Sequence, residues 1–401
     1  MQRYLFQSIT LILVLLAAAN PFCVGQVPSA NNQRQSAITL EQEGKNAEAA
    51  AAWREVIKTQ PASAEAYAHL GFLESRQQHY KEAIPSYRKA LALDPSMPGL
   101  QMNLGLALFK TGGLRDALRI FTSLRKKQSA GSGEALRLDT LIGLSYYGLE
   151  DYSTAVPYLK EATSADPQNL PFRLFLAHSC LWSKQYQCVL DVYHEILLLN
   201  AESAEADMLA GEALDATNDH AGAIQQFRAA IKANPQEPNA HFGLGYLLWT
   251  QNQYEEAALE FQAELSNVPT HVQALVYLAD TNIKLNQPEA ALPLIKKAIQ
   301  LNPRVELAHL DLGIVYMNSG RKAEAIRELK TAITLAPADV NPHYRLARLY
   351  QSMGRKSEAD AEFQKTKSLT KAADESVFNK LREERTKNKP DGAASGVVSE
   401  P

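Results

Sequence analysis

The stretch Phe242 to Trp249, FGLGYLLW, is apolar on two sides of a helix. At about 100° per residue, Phe242, Tyr246 and Trp249 fall on one stripe, and Leu244, Leu247 and Leu248 fall on the opposite side. One stripe can face a core, and the other needs a second neighbour. The punctuation of the chain shows where neighbours come from. Pro61, Pro95, Pro167, Pro235, Pro269, Pro303 and Pro337 are 34 residues apart in four of six gaps, 68 apart in one and 72 in the remaining one. That is a repeat array.

With the proline placed at position 32, ten units begin at Ala30, Ala64, Pro98, Leu136, Leu170, Ala204, Pro238, Val272, Glu306 and Val340. Position 8 is always Gly or Ala, from Ala37 and Gly71 to Gly313 and Ala347, and position 20 is Ala in nine units and Val189 in the other. Position 24 is bulky, as at Trp53, Tyr87, Phe227, Phe261 and Phe363. Two helices that meet at small residues approach closely, and the bulky residue fills the space beside the crossing. Position 15 is Gly or Asn in seven units (Gly44, Gly112, Asn218, Asn252, Asn286, Gly320 and Gly354), residues that tolerate the left-handed conformation ending a helix. Each unit therefore predicts helix, tight turn, helix and a proline-marked stop. Ser63, Asn169 and Ser203 at position 34 are candidate caps for the next helix. Pro85, Pro157 and Pro293 share position 22, early enough in the second helix to disturb only one or two hydrogen bonds.

This pattern resembles the tetratricopeptide repeat over roughly Ala30 to Thr370. The resemblance implies an all-α, right-handed α-α superhelix of about ten 34-residue helix-turn-helix units, whose first helices line a concave surface that binds proteins or peptides. Position 4, often aromatic in that family, is instead His241, His309 and His343.

Outside the regular units, KKQSAGSGEA (126–135) holds four extra residues and reads either as a soft joint or as a longer packed turn. Residues 371–389 are helix-prone and charged, as a capping helix should be. The tail, 390–401, is small, polar and expected to be disordered. At the other end, Arg3 precedes the apolar run Ile9 to Ala19, which is too short to span a bilayer and suits a signal peptide cleaved after Gly25. A retained anchor is the alternative; a lipidated Cys23 fits less well, because Asn20, Pro21 and Phe22 precede it. The array then occupies 26–370 of an exported chain, placed in the periplasm or secreted, most simply in a bacterial envelope.

The formal charge of −3 supplies no basic field for nucleic acid. The position-4 histidines recur with the packing period, so interhelix contact explains them more simply than metal or catalysis. His194-Glu195 lacks the second histidine of a zinc-peptidase motif, since Leu198 stands in its place. No phosphate loop, C-x-x-C pair or nucleophile elbow occurs, and neither a metal nor a cofactor is expected. Cys180 and Cys188 flank the turn of unit five, either as a disulfide stapling one hairpin or as two small buried residues.

In the tetratricopeptide family, positions 2, 5, 9 and 12 of the first helix tend to face the concave side. Carried onto this chain, they give a partner groove of Met102, Phe109, Tyr147, Leu174, His178, Met208, Phe242, Tyr246, Trp249, Met317 and Tyr344. Glu212 and Asp215, with Glu205, form an acidic patch, and Arg348 closes the far end. The alternative is that part of this band packs between neighbouring units. The expected function is a non-catalytic scaffold or adaptor outside the cytoplasm, holding a partner segment with apolar and basic residues. Two other readings stay open: an accessory subunit of an envelope or glycan-processing enzyme, and a scaffold that self-associates as a homo-oligomer.

Overall fold

The structure, a computed structural model, describes residues 30–387, with side chains as far as Ser376. The expected leader and tail lie outside the described residues. Among these, every regular element is a helix. In chain order they are α1 (Ala30–Gln42), α2 (Asn46–Thr59), α3 (Ala64–Arg76), α4 (Tyr80–Leu93), α5 (Leu100–Lys110), α6 (Leu114–Arg125), α7 (Gly133–Gly148) and α8 (Tyr152–Ala165). Then follow α9 (Leu170–Trp182), α10 (Tyr186–Leu199), α11 (Ala204–Ala216), α12 (His220–Ala233), α13 (Ala240–Thr250) and α14 (Tyr254–Asn267). The last six are α15 (Val272–Lys284), α16 (Pro288–Leu301), α17 (Glu306–Asn318), α18 (Lys322–Leu335), α19 (Val340–Ser352) and α20 (Lys356–Lys387). The chain forms two compact units, one ending at Ser145 and the other beginning at Tyr146, within α7.

The turns follow one backbone rule. All ten position-15 residues have positive φ, including Gln78 (61°), Glu150 (62°) and Lys184 (60°), where neither Gly nor Asn is present. The geometry of a three-residue connection between antiparallel helices thus overrides the modest cost of a left-handed non-glycine residue. Ser63, Asn169 and Ser203 cap as expected, accepting from the N–H groups of Ala66, Phe172 and Ala206. Asp151, Asp219 and Asp339 do the same for α8, α12 and α19.

The hairpin core is the contact between positions 8 and 24. A Cβ on Gly245 would lie 2.9 Å from Phe261 Cε1, so the aromatic ring sits where any larger residue would be. Tyr87, Phe121 and Phe261 are fully buried in this role. The position-4 histidines have a common use as well. His241, His309 and His343 place Nδ1 2.6, 2.8 and 2.6 Å from Glu260, Glu328 and Glu362 respectively, each 19 residues later. Position 4 on the first helix and position 23 on the second therefore form a recurring polar tie across the hairpin.

Three departures from regularity have visible causes. The extra residues before unit four do not all form a loop: 133–135 extend α7, Ser132 caps it through the Ala135 N–H, and Ala135 is buried. Arg125 Nε reaches both carboxylate oxygens of Asp139 at 2.8 Å, tying the end of α6 to α7. At the other end, α20 runs unbroken from unit ten into the expected capping segment as far as Lys387. Units three and seven begin with Pro98 and Pro238, followed by Gly99 and Asn239 in the left-handed region, so α5 and α13 start two residues late.

Cys180 and Cys188 are bonded, with Cα atoms 5.8 Å apart, so the disulfide closes the turn between α9 and α10. Thiol titration of the denatured, unreduced protein is expected to find no reactive thiol from these two residues until reductant is added. Two thiols present from the start would show the hairpin to be held by packing alone.

Candidate functional site

The face to examine lies in the second compact unit, where first helices meet. There α9 touches α11, α11 touches α13, α13 touches α15, and the series continues through α17 to α19. A side chain at position 5, 9 or 12 can therefore be covered by the next unit or left facing outward, depending on its size and on its neighbour.

Both outcomes occur. The FGLGYLLW segment buries Leu244, Leu247 and Leu248 inside its own hairpin, while Phe242, Tyr246 and Trp249 are half-buried. Glu264, itself buried on α14, accepts from the Phe242 N–H at 3.3 Å. That bond matters because Asn239 is left-handed and offers α13 no side-chain cap. The three aromatics then meet α15. Phe242, Tyr246 and Trp249 lie 5.9, 5.3 and 5.1 Å from the Tyr277 ring, and the indole Nε1–H of Trp249 donates to Asp280 Oδ2 at 2.6 Å. Lys284 sits over the Trp249 ring, 5.5 Å from its centroid. Trp249 thus packs between repeats, against Asp280 and Tyr277 of the next unit. Tyr277 at position 6, outside the positions used for the expectation, draws the trio inward.

Two adjoining cavities remain open. The larger, of about 470 Å³, is lined by His178, Leu181, Trp182, Glu205, Met208, Leu209, Glu212, Glu237, Pro238 and Asn239. The second, of about 340 Å³, is lined by Glu212, Asp215, Phe227, Asn239, Phe242, Gly243, Tyr246 and Gln273. They share Glu212 and Asn239. Asn239 is fixed by a 3.0 Å contact between its Oδ1 and His271 Nε2. The structure therefore brings together seven of the expected residues: His178, Glu205, Met208, Glu212, Asp215, Phe242 and Tyr246. Met208 contributes only an edge, being 8% exposed.

The other expected residues have different settings. Met102 lines a cavity of the first compact unit, and Phe109 packs on Phe121 at 6.5 Å. Tyr147 meets Tyr152 edge-on and Phe175 at a tilt, and Met317 packs against the core formed by α15 to α20. Leu174 is half-buried and lines neither cavity. Tyr344 is 43% exposed beside Phe363, and Arg348 is exposed; neither lines the cavities. Trp182, at position 13, was missed although it is 50% exposed, packs on Tyr152 and forms a wall of the larger cavity with His178. A tryptophan on the last residue of a first helix, beside a staple, was the available signal.

The electrostatics of this face are acidic. His178 Nε2 lies 2.8 Å from Glu205, and His220 Nδ1 lies 2.9 Å from Asp215. Among the described residues, the Glu212 side chain has no hydrogen bond or ion pair; burial pushes its carboxyl above the usual range, His178 opposes the rise and Asp215 adds to it. Among the described residues, no group of three or more His, Cys, Asp or Glu side chains is placed to hold a metal ion. Aromatic walls, small cavities and carboxylates can hold a side chain by contact and charge.

Comparison with known proteins bears on the repeat. Sequence models of the tetratricopeptide repeat match residues 102–169, 190–238 and 208–272, and related ones match 74–112, 146–213, 282–333 and 340–372. The chain is 23% identical over 276 residues to the protein CTR9 homolog of Arabidopsis thaliana, covering 67% of this chain and 25% of the relative. It is 24% identical over 299 residues to the BBSome complex member BBS4 of Bos taurus, covering 75% and 57%. It thus spans about a quarter and somewhat over half of these relatives. Among solved structures, YrrB, described as a TPR protein with an unusual peptide-binding site, is 20% identical with a TM-score of 0.39, covering 47% of this chain and 97% of YrrB. With the ten left-handed turns, the position 8 to position 24 contacts and sequence matches over well over half its length, the chain belongs to the tetratricopeptide repeat family.

Proposed function

We propose that this chain is a non-catalytic adaptor outside the cytoplasm, which holds a segment of a partner protein against the first-helix face of α9, α11 and α13. The observation that carries this reading is the pair of adjoining cavities, walled by Trp182, Met208, Phe242 and Tyr246 and joined at Glu212. Rigid aromatics beside fixed polar groups are the composition of partner sites. The bovine relative is named as a member of a complex, which supports a role in assembly. Export is supported by the leader-like run at the start of the chain and by the Cys180–Cys188 bond, which oxidising compartments sustain.

Photo-crosslinking tests this directly. A benzophenone amino acid is placed at Tyr246 in one version and at Leu259, 66% exposed on α14, in another. In the native compartment, the first is expected to capture a foreign chain and the second is not, and the intact mass of this protein, recovered without crosslink, should match a chain beginning near Gln26. Equal capture from both positions, capture only of a second copy, or recovery only from cytosol with Met1 present would overturn the proposal.

A further inference from the structure

The two cavities carry four carboxylates, Glu205, Glu212, Asp215 and Glu237, and no cationic lysine or arginine. Glu205 and Asp215 each have one histidine, whereas the Glu212 side chain, at the junction, has no hydrogen bond or ion pair among the described residues. In the wall of the larger cavity, His178 Nδ1 is buried without a hydrogen-bond partner, while Nε2 faces the Glu205 carboxylate. A ring that donates through Nε2 presents Nδ1 as an acceptor when neutral. Two independent groups on different helices thus lack a donor.

An entirely apolar partner segment would bury Glu212 without compensation, and an acidic one would add like charge. A lysine or arginine side chain supplies several N–H donors and accepts nothing, and the rings of Phe242 and Tyr246 attract a cation at their faces. The chain's net charge of −3 is too small to select basic partners by its overall field. The discrimination must be local.

We infer that the junction at Glu212 takes a lysine or arginine side chain of the bound segment, with apolar neighbours seated against Trp182 and Met208 on one side and Phe242 on the other. This rests on the groove reading above and adds the class of residue recognised. Because Glu212 carries the charge at the junction, Glu212→Gln keeps the shape and removes the attraction.

The probe is a phage-displayed library of random decapeptides selected on the full chain, followed by labelled synthetic copies of the enriched peptide and of its norleucine analogue at the basic position. The wild type should enrich lysine or arginine between apolar residues. Glu212→Gln should weaken the basic peptide about tenfold, the scale of losing a hydrogen bond to a charged group, and leave the norleucine analogue unchanged. Enriched peptides without a basic position, or equal affinity of both peptides for wild type and variant, would overturn the inference while leaving the groove intact. No enrichment on the wild type would overturn the groove reading and this inference with it.

Discussion

Phe261→Ala is expected to lower the stability of the second compact unit by about 3–5 kcal/mol, the range for emptying a buried aromatic site. Phe261 is fully buried at position 24 of unit seven, where a Cβ on Gly245 would lie 2.9 Å from its ring. Its ring also lies 5.9 Å from both Phe242 and Tyr277, so it supports the α13 to α14 crossing and the approach of α15 together. Neighbouring helix backbones cannot close such a space without breaking the small-residue contact. Urea denaturation followed by circular dichroism measures the loss. Leu259→Ala, two residues earlier and 66% exposed, serves as the control and should stay within about 0.5 kcal/mol of wild type. A loss of under about 1 kcal/mol at Phe261 would show that the position 8 to position 24 contact does not organise the hairpin. Because each repeat leans on its neighbours, the loss should also advance unfolding of α15 and α16.

Asp311→Asn should have the opposite sign. Asp311 on α17 is 1% exposed, and neither carboxylate oxygen has a hydrogen-bond partner. Burial pushes its pKa well above the ordinary value of 3.8; Asp280 and Glu306 push it further, while Lys284 and Arg345 oppose. A carboxyl whose pKa is raised by folding binds its proton more tightly in the native state. Its contribution to stability is therefore complete below the unfolded value, near pH 4, and is lost as pH rises through the raised folded value. The wild type should lose stability across that window, and the asparagine variant should lose less. Above the folded pKa, the variant is expected to gain on the wild type by about 1.4 kcal/mol for each unit by which folding raises the Asp311 pKa, because the amide never ionises. Urea titrations of both proteins at several pH values from 4 to 9 measure the difference. Parallel curves would mean that Asp311 finds a partner in solution.

The site explains why the two levels of reading diverged. Positions 2, 5, 9 and 12 were assigned to one surface, yet Trp249 is drawn to Asp280 and Tyr277, and Met317 joins the core, while Tyr246 and Glu212 remain at open cavities. The difference lies in the facing residue of the next unit. Trp182 shows the converse: position 13 belongs to no expected surface, and the side chain is exposed because the larger cavity opens beside it.

Sequence alone determined what is local and periodic. The hairpin, its caps and the left-handed residue at position 15 depend on contacts within about 34 residues, so the pattern of small, bulky and proline positions carries them, even where Gln78, Glu150 and Lys184 stand in for glycine. The same local logic covers the histidines, whose period marked them as packing residues and whose glutamate partners lie 19 residues on. Tertiary structure decided which side of each first helix stays open, the bond between Cys180 and Cys188, and the burial of Asp311 without a partner. Those outcomes depend on distances between side chains on different helices, set by residue size and helix approach, and a 34-residue period contains no information about either.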